Sequence, residues 1–196
     1  MYNKHIKPIL DILFAIVFSI GLFPLFLIIA IILKFSQHGS ILYKQERVGQ
    51  NGEIFLIYKF RSMSVDAPIL FGPERFKIKS KITRVGKFLR VTSLDEIPQL
   101  INILRGEMSF IGPRPVIYAE KKLLALRQRE GALDIKPGIT GLAQVHGRKK
   151  LTIAQKAQYD AMYADNISLW LDFCILVKTI PVISEREGVR KSFKKH

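Results

Sequence analysis

The chain is poor in cysteine and poor in acid. Cys174 is the single cysteine among 196 residues. That excludes an internal disulfide and any metal site built from several thiolates, and it suits a reducing compartment. No zinc-type Cys/His spacing, no Walker loop and no Gly-x-Ser-x-Gly elbow occurs, which leaves the common metallohydrolase, P-loop and serine-hydrolase chemistries without their parts. Internal repeats and low-complexity tracts are absent too. Only 16 Asp and Glu face 31 Lys and Arg, a formal net charge of +15. Such an excess implies an anionic partner: nucleic acid, anionic lipid or a phosphorylated substrate. No nucleic-acid recognition motif accompanies it. Hydrophobic residues make up 48% and charged ones 24%, so wholesale disorder is excluded. The length suits one domain with a real core, with or without a membrane element.

The first 33 residues hold Lys4, Lys7 and Asp11, so nearly all of the net charge sits on the remainder. Ile12 to Leu33 carries no charge. As one helix it would run roughly 33 Å at about 1.5 Å per residue, enough to cross a hydrocarbon core of about 30 Å. A secretory signal is a poor reading, because Lys34-Phe35-Ser36-Gln37 offers no small-residue cleavage site. Gly21 and Pro24 interrupt the run, and Pro24 cannot donate to the carbonyl of Ile20. The residues allow a kinked spanning helix or a re-entrant one, with arms 12–23 and 24–33. Lysine and arginine flank both ends (Lys4, Lys7; Lys34, Lys44, Arg47), which favours re-entry, with both flanks on the cytoplasmic side.

The most informative stretch is Thr92-Ser93-Leu94-Asp95-Glu96-Ile97-Pro98-Gln99-Leu100. Ile97, Leu100, Ile101 and Leu104 have the spacing of a buried helix face. Ser93 and Glu96 have capping-box spacing, which starts a helix at Leu94; Asp95 as N-cap would instead place Pro98 harmlessly in the first turn. Arg105-Gly106 closes the pattern. Acidic residues in a first turn are ordinary, but Lys87, Arg90, Arg105 and Arg114 crowd this pair along the sequence, and Gly112-Pro113-Arg114-Pro115 makes a stiff turn that carries one of them. A carboxylate in a basic field can attack phosphorus or hold Mg2+ together with substrate phosphates, and arginines stabilise charge on a transferring phosphoryl group.

Around this stretch the pattern gives an α/β chain, mostly α. Residues 40–47 and 53–61 read as strands about Gly49-Gln50-Asn51-Gly52, a hairpin signal. Lys59 in the second strand either answers an anion or snorkels at a strand end. Residues 62–80 read as loop. Residues 82–90 form a basic helix, and 116–131 a helix closed by glycine, with Lys121, Lys122, Arg127 and Arg129 as surface charges. Pro137–Gly141 reads as a glycine-rich turn whose amides could cradle phosphate. Residues 151–163 form an amphipathic helix. Residues 169–183 are apolar nearly all round except Asp172 and Lys178, which suits either a core helix or one lying in a membrane surface beside a basic tail. Asp172 is a dipole charge or a site contact.

Three motifs in order, Arg90-Val91-Thr92-Ser93-Leu94-Asp95-Glu96-Ile97-Pro98-Gln99, Gly106-Glu107-Met108-Ser109-Phe110-Ile111-Gly112-Pro113-Arg114-Pro115 and Lys136-Pro137-Gly138-Ile139-Thr140-Gly141, resemble the bacterial sugar transferases, the monotopic polyprenyl-phosphate phosphoglycosyl transferases. The resemblance runs from the apolar segment to about Asp172. It implies a proline-broken re-entrant membrane helix over 1–36, a catalytic domain over 37–185 with a small β-hairpin and interfacial amphipathic helices, and a basic tail over 186–196. It implies transfer of a sugar 1-phosphate from a UDP-sugar to undecaprenyl phosphate with release of UMP, on the cytoplasmic face of a bacterial inner membrane. Asp95 would be nucleophile and Mg2+ contact, Glu96 its acid/base neighbour, and Lys59, Arg90, Arg114 and Arg148 the phosphate contacts, with Asp172 a further candidate. Membrane lipids are implied partners; nucleic acid is not. The chain departs from the family in two places: phenylalanine rather than serine precedes Pro24, and His146 stands where asparagine is usual and reads as a tolerated variant. A membrane-tethered nucleic-acid-binding or structural protein is the competing reading, and it leaves the acidic pair and the Pro-Arg-Pro turn without a purpose.

Overall fold

The computed structural model describes residues 1–36, 39–64, 81–147 and 150–184. Most of the 62–80 loop, Arg148 and the basic tail lie outside the described residues. The architecture is mostly helical with two small two-stranded sheets.

Helix α1, Lys7–Ser36, contains Pro24 and is the one described helix long and apolar enough to cross a membrane. It is not a core helix, because only 11% of its apolar window is buried. The buried residues are Lys7, Asp11, Ala15, Ile29 and Leu33, and Leu22, Leu25 and Phe26 also pack inward. These fall on one stripe at helical spacing. From Lys7 to Leu33 the stripe spans about 39 Å at about 1.5 Å per residue. The polar body therefore touches α1 along nearly its whole length, while Phe14, Phe18, Phe23, Leu27 and Ile31 stay exposed.

Strands β1 (Leu42–Val48) and β2 (Ile54–Phe60) pair antiparallel from Leu42↔Phe60 to Val48↔Ile54. Their connection uses left-handed conformations at Asn51 (φ 56) and Gly52 (φ +81), which the Asn-Gly pair tolerates. Coverage of β2 is uneven: Ile54 and Leu56 are exposed, and burial on both faces begins at Tyr58. Phe55 and Ile57 pack with Ala15, Leu100, Ile103 and Met108; Phe60 packs with Ile29, Leu33 and Leu89.

Helix α2, Arg84–Thr92, begins at the Thr83 cap, whose side chain accepts from Gly86 N. The helical turn that follows begins at Leu94, as the Ser93/Glu96 spacing predicts, but as 3-10 and without the capping box. Ser93 takes a left-handed conformation (φ 62) without capping, and Leu94–Gln99 forms a 3-10 turn before α3, Leu100–Leu104. An N-cap needs extended backbone, which Ser93 lacks, and the Glu96 side chain is drawn elsewhere. Gly106 (φ +76) follows the end of α3. The fully buried Asn102 then ties α3 to β2: Tyr58 N donates to its Oδ1 (3.1 Å), and its Nδ2 donates to Leu56 O (2.7 Å).

Pro137–Gly141 is largely strand. β4 (Gly138–Thr140) pairs parallel with β3 (Ser109–Ile111). A Cβ on Gly138 would lie 2.1 Å from Gly112 N, and one on Gly141 2.1 Å from Gly112 O. These glycines serve close backbone approach, and the amides of Gly112 and Gly138 already donate to Thr140 and Pro113 carbonyls. Helix α4 is shorter than expected, Lys121–Arg129, because Val116 is still extended and accepts from Val48 N. After the single turn α5 (Leu142–Val145) come α6 (Ile153–Asp165), begun by a Thr152/Gln155 capping box, and α7 (Leu169–Ser184). α7 buries Asp172 and Ile175 and exposes Leu169, Trp170, Phe173, Leu176, Val177 and Ile180.

Candidate active site

The 3-10 turn sets Asp95 and Glu96 at the point where β2, α2 and the Pro-Arg-Pro turn converge. Asp95 is 9% exposed. Lys59 Nζ and Arg114 Nη2 both bind Glu96 Oε1 at 2.8 Å. Burial by itself would raise the Glu96 carboxyl, but Arg114 and then Lys59 outweigh it and hold the group well below the usual carboxylate range. Glu96 in turn raises Arg114. Burial lowers Lys59, with Glu96 opposing. This setting suits an ionised carboxylate that orients two cations better than one that carries a proton near neutral pH.

Arg90, on α2, donates from Nε to Ser62 Oγ at 2.6 Å. Burial lowers it, and the field of Asp95 works against that. Asp95 also acts on Lys59 and Arg114. The structure thus gathers Asp95, Glu96, Lys59, Arg90 and Arg114. Arg105, expected in the same crowd, binds Tyr58 OH at 2.6 Å and lies over its ring, and Lys87 is solvent-exposed on α2.

Asp172 belongs to a different cluster. It is 4% exposed; it pairs with Lys7 (2.7 Å) and accepts from Tyr2 OH (2.8 Å) and Tyr163 OH (2.6 Å). Asp11, one turn on, accepts from Phe110 N. These bonds pin the start of α1 to α7 and β3. His146 stacks on Tyr159 at 5.0 Å.

Two arginines escaped the sequence reading. Arg47, on β1, donates to Pro115 O at 3.3 Å, and it is lowered by burial and next by Arg114, so a further cation borders the site. Arg127, expected at the surface, is 4% exposed and binds Asp160 Oδ2 through Nε (2.8 Å) and Nη2 (2.6 Å). It lies four residues after the buried Leu123, on the same face of α4, a position that its charge made read as surface.

Around the acidic pair, four cations (Lys59, Arg90, Arg114, Arg47) thus face two carboxylates. Among the described residues there is no group of three or more His, Cys, Asp or Glu, and Glu96 is engaged by Lys59 and Arg114, so a Mg2+ here would rest on Asp95 and take its other ligands from water and phosphate.

Fold and site together give a carboxylate centre surplus in cations, on a body that carries an exposed apolar helix. The chain belongs to the bacterial sugar transferase family, whose sequence model matches residues 2–186. It is 41% identical to the UDP-galactose-lipid carrier transferase of Erwinia amylovora over 94% of the chain and 42% of that protein. It is 40% identical to the exopolysaccharide production protein ExoY of Sinorhizobium fredii over 93% of the chain and 87% of that protein. It is 41% identical to the UDP-glucose:undecaprenyl-phosphate glucose-1-phosphate transferase of Xanthomonas campestris over 88% of the chain and 37% of that protein. The chain thus spans less than half of the first and third relatives and most of the second.

Proposed function

We propose that this chain transfers a sugar 1-phosphate from a UDP-sugar to undecaprenyl phosphate and releases UMP, an initiating step of polysaccharide synthesis at the cytoplasmic face of the bacterial inner membrane. The observation that carries the reading is the buried Asp95 and its partly buried neighbour Glu96 among Lys59, Arg90 and Arg114. The surplus of positive charge matches a diphosphate, and the two relatives named for UDP-sugars supply the substrate class.

In this mechanism Arg114 and Lys59 bind the diphosphate oxygens, and Glu96 keeps both cations aimed at Asp95. A carboxylate oxygen of Asp95 attacks the phosphorus that bears the sugar. The bond from that phosphorus to the bridging oxygen breaks, and UMP leaves with the electron pair. The leaving group is itself a phosphate, so it needs no proton from Glu96. An oxygen of undecaprenyl phosphate then attacks the same phosphorus and displaces the Asp95 carboxylate, which leaves a sugar on a lipid diphosphate. Arg90 and Arg114 stabilise charge on the equatorial oxygens. Asp95 would also hold Mg2+, which when bound neutralises phosphate charge.

The packing of α1 supports a one-sided membrane placement. The polar body contacts the helix over a length greater than a hydrocarbon core of about 30 Å, so a crossing helix would drag charged surface through the bilayer. Burying the exposed faces of α1 and α7 in one leaflet avoids that cost. UMP release from UDP-galactose and UDP-glucose, assayed with and without undecaprenyl phosphate and Mg2+, tests the reading. Release beyond one equivalent of enzyme that needs neither the lipid nor the metal would contradict it.

A further inference from the structure

The turn that carries Arg114 has no regular structure, and its two prolines have no N–H to offer. It is held instead through its carbonyls, one residue after another. Pro113 O accepts from Gly138 N (2.9 Å), Arg114 O from Arg127 Nη1 (3.0 Å), Pro115 O from Arg47 Nη1 (3.3 Å) and Val116 O from Val48 N (2.8 Å). Two of the four donors are backbone. Arg127 differs from the other side-chain donor in that its remaining nitrogens are locked by Asp160, itself 1% exposed. A buried charge pair of this kind is a weak source of stability, and apolar residues of similar volume often replace one without loss. It therefore invites another explanation, and the bond to Arg114 O supplies one.

We infer that Arg127, fixed by Asp160, is a positioning residue that sets where the Arg114 guanidinium meets the diphosphate of the donor nucleotide. This rests on the proposed function, because Arg114 must touch that diphosphate for its position to matter. Arg127 reaches the substrate only through the Arg114 backbone, so its contribution disappears when the Arg114 side chain is gone. A residue that merely packs would act independently of Arg114. Coupling of this kind is what a double-mutant cycle isolates.

The test uses the full chain in detergent with UDP as the probe, so the identity of the sugar does not enter. UDP affinity and thermal unfolding are measured for wild type, R114A, R127M/D160L and the three changes combined. The paired replacement avoids leaving Asp160 as a buried unpaired charge. R127K is the second variant: it keeps a cation opposite Asp160 but lacks the fork that serves Asp160 and Arg114 O together. We expect R114A to weaken UDP binding roughly tenfold, as loss of a charged hydrogen bond does. R127M/D160L and R127K should each weaken it roughly fivefold, as small displacements of a binding group do. The combined variant should bind no worse than R114A. Losses that multiply in the combination, or folded R127M/D160L and R127K proteins with wild-type affinity, would overturn the positioning role and leave the proposed function standing. Wild-type protein that does not bind UDP would overturn both.

Discussion

Replacing Glu96 by glutamine keeps the shape of the side chain and removes its charge, so it asks what holds Lys59 and Arg114. Lys59 Nζ and Arg114 Nη2 share Glu96 Oε1, with side-chain exposures of 17% and 39%. A hydrogen bond to a charged group contributes about 1.5–3 kcal/mol. The Lys59 bond is counted near about 2 kcal/mol on that scale, and the half-open Arg114 bond below about 1 kcal/mol because solvent screens it. The loss near neutral pH is then about 2–3 kcal/mol, or roughly 5–10 °C in apparent Tm for a chain of this size. The sign with pH follows from the direction of the shift. Glu96 is held below its ordinary range in the fold, so its contribution is present above the unfolded value of about 4.3 and is lost as pH falls through that value toward the folded one. Wild type and E96Q should therefore differ most above about pH 5 and converge in acid. Thermal unfolding in detergent from pH 7 down to pH 3 reads this directly. Equal Tm at pH 7 and parallel acid slopes would refute the idea that Glu96 neutralises these cations. The rate profile adds a second reading. An orienting Glu96 leaves the shape of the pH–rate curve unchanged in E96Q while kcat/KM falls; loss of one limb of the curve would make Glu96 a proton carrier after all.

Three further outcomes follow from the packing. Asp172→Asn leaves Lys7 buried against a neutral partner and should cost about 3 kcal/mol, seen as a lower Tm together with faster labelling of a cysteine placed at Asn3; unchanged labelling would mean that α1 is held by its apolar stripe alone. Gly138→Ala drives a Cβ toward Gly112 N at 2.1 Å and should destabilise by about 3 kcal/mol or more, with wild-type Tm as the contrary result. Cysteines at Asn3 and Ser40 should both be protected from an impermeant thiol reagent added outside intact cells, whereas labelling of position 3 alone would establish a spanning α1.

Much of the candidate site was legible because its residues are carried by local signals. Asp95-Glu96 beside Pro98, the Pro-Arg-Pro turn and Lys59 in an aromatic strand each stand out within a few positions, and the structure brings them together. The hairpin was legible for the same reason, since Asn51-Gly52 sets its turn. The failures have a common cause in long-range contacts. Ser93 reads as a cap locally, but Lys59, 37 residues away from Glu96, and Arg114 claim the Glu96 side chain that a capping box would need. The glycines of residues 138–141 read as a loose turn, yet the backbone of Gly112 explains them. Arg127 and Asp160 are 33 residues apart, and nothing near either predicts the pair. Asp172 reads from sequence as a dipole charge or a site contact, and its partners Lys7, Tyr2 and Tyr163 are brought to it only by the fold.

If Asp95 takes the phosphosugar covalently, one exchange reaction reveals it. Wild-type protein with Mg2+, UDP-sugar and labelled UMP, and with no lipid acceptor, should move label into the UDP-sugar, because the first half-reaction is reversible and needs only the enzyme carboxylate. UDP-galactose and UDP-glucose are the first donors to try, given the names of the relatives. Asp95→Asn should retain the fold, since Asp95 caps no helix here, and should lose the exchange entirely. Lipid-linked product formed at a normal rate by Asp95→Asn, or full turnover by the wild type with no exchange under any donor it uses, would contradict a covalent Asp95 intermediate and point to direct attack by the lipid phosphate.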